Sequence, residues 1–153
     1  MAEVVLADRL EAAGLADRVR LSSAGTGGWH VGDPMDERAA TTLADAGYDP
    51  TRHRARQLDG SWFAAHDALL VMDADNLREV SALAPTDDDR ARVLLFRTFD
   101  PGRGSGEDID VPDPYFGGAD GFARVLTVVE RTADGLVDAL RSRLTAPTAA
   151  EAD

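Results

Sequence analysis

The sequence contains no cysteine. That excludes disulfides, thiolate nucleophiles and cysteine-based metal sites among these 153 residues. Lysine is absent as well. All 16 basic residues are arginine, a bias that fits a GC-rich coding background better than a function. The three histidines, His30, His53 and His66, show no H-x-x-x-H or H-E-x-x-H spacing, so no metal site and no cofactor is expected. Long apolar runs are missing too: residues 68–72 (A-L-L-V-M) are far too few to span a bilayer. The first ten residues carry Glu3 and Asp8 and no basic cluster ahead of an apolar stretch. No secretory leader is therefore expected, and a cytoplasmic protein is the default. Positive charge is scarce, with 28 acidic residues and a net charge of −12. Nucleic acid and anionic membranes would be repelled at long range and are not expected partners.

What is present reads as one domain, residues 1–144, followed by a disordered tail, residues 145–153 (T-A-P-T-A-A-E-A-D). Residues 1–13 predict a helix with Ala2, Leu6, Leu10 and Ala13 on one face and Val5 beside them, and Gly14 suits its stop. No capping side chain precedes it, so its first N–H groups lack a partner in the chain. Residues 19–24 (V-R-L-S-S-A) alternate as a strand does. A Gly-rich loop, 25–32, then carries Trp29, which either lies on the surface as a ligand wall or tucks back on the core. Asp33-Pro34 predicts the start of a second helix with Met35, Ala39, Ala40 and Leu43 inward and Gly47 after it. Residues 51–58 (T-R-H-R-A-R-Q-L) form a basic connection, and 59–66 a short helix with Trp62 and Phe63 inward.

Residues 68–72 read as a strand covered on both faces. Asp73 should cap a helix of about ten residues that Pro85 ends. An acidic turn at 87–89, a second buried strand at 93–96 and a polar loop at 98–110 follow. The longest pattern is helical over 121–144, with Asp120 as its expected cap. Strands alternating with helices predict an α/β fold: a three-layer arrangement with a parallel sheet flanked by helices and right-handed crossovers. Sites in such folds lie beyond the carboxyl ends of the strands, so the loops after Ala24, Met72 and Phe96 should share one edge.

The stretch 111–118 (V-P-D-P-Y-F-G-G) holds one carboxylate, Asp113, between two prolines that stiffen the loop. Two aromatics follow. The pattern suits a general acid aimed at an aromatic leaving group, or simply a D-P turn entering the last helix. Among hydroxyls, Ser22, Ser23 and Thr26 are possible nucleophiles, but no base stands near them at a spacing the sequence reveals.

Taken in order, S-A-G-T with G-G-W-H-V-G-D-P, H-R-A-R-Q-L, D-A-L-L-V-M-D-A-D-N-L and D-P-Y-F, with M-A-E at the start, resemble the low-molecular-weight protein tyrosine phosphatase family. The resemblance runs from Met1 to about Leu144. It implies a phosphoric monoester hydrolase acting on a phosphotyrosine protein or a small aryl phosphate. It gives Asp113 the role of general acid and base, protonating the phenolic oxygen and then activating water against a cysteinyl-phosphate. It makes Tyr115 and Phe116, with Trp29 opposite, the substrate slot, and makes Ser23 and His53 supports of the phosphate loop.

The family's nucleophile sits in C-x-x-x-x-x-R-[ST] at the end of the first strand, just before M-A-E, where this sequence begins. The resemblance therefore implies that the first central strand, the nucleophilic Cys and the signature Arg are absent here, and that the full product carries about 15 further residues upstream, a strand of ~5–6 plus the loop. A slot or a collapsed sheet with unpaired N–H and C=O groups is expected between 19–24 and 68–72, and with it low stability. These 153 residues are expected to be inactive. The competing reading is a Cys-less pseudophosphatase acting as a binding or regulatory module. An arsenate reductase of the same fold fits poorly, because those relatives depend on several cysteines and lack the D-P-Y acid.

Overall fold

A computed structural model describes residues 1–106, 109–115 and 117–145. The expected tail beyond Thr145 lies outside them, as does Phe116. The elements run α1 (Ala2–Ala12), α2 (Glu37–Asp45), α3 (Trp62–Ala65), β1 (Leu69–Val71), α4 (Ala74–Ala82), α5 (Asp87–Arg90), β2 (Val93–Leu95), a 3-10 turn (Phe96–Phe99) and α6 (Ala119–Thr145).

The strands β1 and β2 are parallel, with Leu69 opposite Val93 and Val71 opposite Leu95. A parallel pair needs a crossover, and α4 and α5 supply it. Alternation along β1 divides the interior in two. Leu69 and Val71 face Phe63, Val80 and Val93, whereas Leu70 and Met72 face the larger cluster of Val5, Leu6, Leu10, Leu43, Phe96, Val129 and Ala133. Helices α1, α2 and α6 cover that second face and α3 and α4 the first, giving the expected α/β sandwich around a parallel sheet. No helix among the described residues is long and apolar enough to cross a membrane.

Local chemistry sets most boundaries as expected. Gly14 and Gly47 follow α1 and α2 at φ of 70° and 90°, where a side chain would be strained. The Asp73 carboxylate accepts the Asn76 N–H at 2.7 Å and so caps α4. Asp73→Ala should cost about 1 kcal/mol in a urea melt; an unchanged midpoint would show that the cap contributes nothing.

Four expectations fail locally. Residues 19–24 form no strand. Among the described residues the sheet has two strands, and the stretch joins it at no point. Its side chains alternate as read, but a strand is made by its ladder, and the one bridge nearby is between Gly25 and Gln57. The cap of α2 is Asp36, whose carboxylate accepts the Arg38 N–H at 2.9 Å, rather than Asp33, which lies before Pro34 in a turn closed by the Asp33 N–H to the His30 carbonyl. Asp120 lies inside the first turn of α6, where a negative charge still suits the helix dipole, because the helix begins one residue earlier. The acidic turn at 87–89 is helical as α5, capped by Thr86.

Candidate functional site

A cleft of 460 Å³ opens beyond the carboxyl end of β1. Its walls come from the start of α1 (Met1, Glu3), from Ser23, from Met72 and Asp73 after β1, and from Asp113 and Tyr115. The loop carrying Asp113 is held at two points. The Val111 N–H donates to the Met72 carbonyl at 2.7 Å, and the Asp110 carboxylate accepts the Ala74 N–H at 3.0 Å. The loop thus hangs from the end of β1 and the start of α4. Asp113 itself accepts the N–H of Tyr115 at 2.9 Å, an Asx turn that fixes its carboxylate next to the aromatic ring.

Arg38 docks this loop on α2. It donates to the Tyr115 carbonyl at 3.1 Å, and its guanidinium lies over the rings of Tyr115 and Phe122 at 5.1 and 4.9 Å. Asp36 holds it from behind through a 3.0 Å bond to Nη2, and that hydrogen bond draws the Asp36 carboxyl below its usual range. Sequence reading missed Arg38 entirely, and no local signal marks it, since its partner is 77 residues away.

On the opposite wall Glu3 is a hub. Its Oε2 accepts from Ser23 at 2.5 Å and lies 2.8 Å from His53 Nδ1, with Arg56 at 3.8 Å from Oε1. Burial pushes the Glu3 carboxyl up, but the bonds from Ser23 and His53 and the charges of His53 and Arg56 together outweigh it, and its pKa is lowered. Ser23 and His53 are therefore brought together, and Glu3 is what joins them. It was legible only as part of M-A-E, with no role attached.

Other expectations separate. Trp29 is 88% exposed and does not line the cleft; its ring folds over Gly27, where an added Cβ would lie 1.9 Å from the ring. Tyr115 is 57% exposed at the rim. Of the three loops expected to share an edge, the one after Met72 lines the cleft through Asp73, and the one after Phe96 leads into the lining residues 111–115; the loop after Ala24 contributes no lining residue, although Ser23 just before it does. Among the described residues no group of three or more potential ligands could hold a metal ion. What these walls can do is receive an aromatic ring beside a fixed carboxylate.

Comparison with known proteins agrees with the fold. The sequence model described as "Low molecular weight phosphotyrosine protein phosphatase" matches residues 1–146. A low molecular weight protein-tyrosine-phosphatase of Streptomyces coelicolor is 48% identical over 144 residues, covering 94% of this chain and 87% of the relative. Low molecular weight protein-tyrosine phosphatase A of Mycobacterium bovis is 44% identical over 144 residues, covering 94% and 85%. Among solved structures, a protein tyrosine phosphatase from Entamoeba histolytica superimposes with a TM-score of 0.85 at 28% identity, covering 92% of this chain and 87% of that one.

Proposed function

The chain belongs to the low molecular weight phosphotyrosine protein phosphatase family, and from that premise we propose that its cleft is the leaving-group half of an aryl phosphate monoesterase site. Asp113 is the general acid, giving its proton to the phenolic oxygen as the P–O bond breaks, and then the base that takes a proton from the attacking water. Tyr115 borders the ring of the substrate, with Phe116 assigned the same task from its place in D-P-Y-F. Trp29, on its exposed loop, reaches the substrate from outside the cleft. Ser23 and His53, joined through Glu3, brace the phosphate-binding side. The observation that carries this reading is Asp113, fixed by its Asx turn on a proline-stiffened loop, lining one cleft with Tyr115, Ser23 and Glu3.

A cysteinyl-phosphate cannot form on a chain without cysteine. Phosphoryl transfer also draws most of its acceleration from positioned donors around the phosphate. These 153 residues should accordingly give no turnover of p-nitrophenyl phosphate above buffer, and turnover that Asp113→Asn abolishes would overturn this. The aromatic half should still work. In an NMR titration p-cresol should shift the amides of Asp113, Tyr115 and Asn76, with a Kd on the order of millimolar. p-Cresyl phosphate should bind no better, because the chain's net charge is −12. Shifts confined to other regions would refute the assignment of the slot.

A further inference from the structure

A second cavity, of 640 Å³, opens at the other end of β1, lined by Arg20, Phe63, His66, Asp67, Asp89 and Arg92 among others. His66 precedes β1, whereas the cleft of Asp113 follows Met72, so the strand separates the two. At this end Ser22 Oγ lies 2.8 Å from His66 Nε2. The other ring nitrogen, Nδ1, is 2.9 Å from the Trp62 carbonyl. A carbonyl only accepts, so Nδ1 carries the proton and Nε2 presents its lone pair; the Ser22 hydroxyl must therefore donate to it. The ring cannot easily turn away. It stacks on Trp62 at 4.8 Å and 8°, and Arg92 holds the His66 carbonyl and, at 2.9 Å, that of Phe63.

We propose that Ser22 and His66, of which His66 lines this cavity and Ser22 adjoins it through their hydrogen bond, form a nucleophile–base pair that takes the acyl group of uncharged, activated carboxylic esters. Nucleophile, base and orienting acceptor stand in the order such a site requires, with a backbone carbonyl as the third member. Alternation along residues 19–24 supports the placement. Leu21 packs on the core and Ser23 turns to Glu3, whereas Arg20 lines the cavity and Ser22 meets His66. Both members of the pair are half-buried and so within reach of a small reagent. The cavity brings together two arginines and two aspartates, which favours an uncharged acyl group over an anion.

In the acylation step Ser22 Oγ bonds to the carbonyl carbon, its proton passes to His66 Nε2, and the bond from that carbon to the aryloxide oxygen breaks. The imidazolium then gives its proton to the departing oxygen. Water reverses the sequence: it loses a proton to His66, adds to the acyl carbon, and Ser22 leaves and recovers the proton. The sum is ester plus water to acid plus phenol.

The test uses p-nitrophenyl acetate and intact mass followed by peptide mapping. A chain without cysteine or lysine offers few competing nucleophiles, which makes the result clean. One acetyl group should accumulate on Ser22 of the wild-type protein. Ser22→Ala should abolish it, and His66→Gln should slow its appearance by about 10²-fold or more. Mapping the wild type needs no variant to fold. Acetyl found on the Met1 amine, on another hydroxyl or histidine, or nowhere, overturns the proposal.

Discussion

Asp100→Ala should lower the stability of this protein by about 3 kcal/mol, measured as the change in free energy of unfolding in urea. Asp100 is 3% exposed, and among the described residues its carboxylate gathers at least four donors. Arg131 reaches both oxygens, from Nε at 2.5 Å and from Nη2 at 2.7 Å. Arg97 Nε adds 3.2 Å and the Gly102 N–H 2.8 Å. Truncation withdraws one anion from two guanidiniums. Arg131 is 39% exposed along its side chain and can rehydrate in place, and Arg97, at 14%, keeps its bond to the Asp110 carbonyl, so the loss falls at the lower end of what a broken buried pair costs.

The same cluster sets a pH dependence. The hydrogen bond from Arg131 draws the Asp100 carboxyl down to about 2, against the opposing effect of burial. An unfolded aspartate titrates near ~3.9. A carboxyl with a lowered folded pKa contributes fully above its unfolded value and loses the contribution as pH falls toward its folded one. About 2 kcal/mol should therefore disappear between about pH 4 and about pH 2. Asp100→Asn, which keeps the shape and removes the charge, should flatten that part of the stability profile. An identical slope in wild type and Asp100→Asn would show that another group is responsible.

Gly135→Ala is expected to destabilise by about 3 kcal/mol, although helix propensity alone predicts a gain of about 1 kcal/mol at an interior helical glycine. The reason is distance. A Cβ built on Gly135 would lie 1.9 Å from the carbonyl oxygen of Phe99 and 3.0 Å from Pro101. Neither is the flexible end of a side chain. Either α6 moves out, taking Val129, Ala133, Leu136 and Val137 from the core, or the turn after β2 shifts. That turn delivers Asp100, so Gly135→Ala and Asp100→Ala should fall short of additivity when combined. A urea midpoint that stays in place or rises for Gly135→Ala would mean that propensity wins and the close approach is relieved elsewhere.

The contrast between those two readings of Gly135 is also the general lesson about what the sequence discloses. Helix α6 was legible because its apolar spacing repeats over 24 residues, and α4 because Asp73 and Pro85 bracket it locally. The strand β1 announced itself as a short apolar run. Residues 19–24 carried an equally good alternation yet form no ladder, because pairing depends on a partner that spacing cannot show. Asp33 and Asp36 are equally competent caps by composition; the turn through Pro34 decides between them. At the cleft, Asp113 and Tyr115 were readable from D-P-Y-F, whereas Glu3 with His53 and Arg38 with Tyr115, and Ser22 with His66 at the other end of β1, join positions 44 to 77 residues apart. Such pairs exist only once the chain has closed.

Closure has its own order. Helix α1 lies against α6, tied by Arg9 to Asp134, and Arg18 in the turn beyond α1 reaches the Leu144 carbonyl, across 125 and 126 residues. Bringing ends that far apart together costs an entropy of roughly 4 kcal/mol in a flexible chain. During synthesis Val5, Leu6 and Leu10 emerge long before their cover, because Val125, Val129 and Ala133 leave the ribosome more than 100 residues later. The large core is therefore a late event in translation, the sequence separation of its contacts favours slow folding, and a chain interrupted before α6 exposes an apolar helix to every other nascent chain nearby.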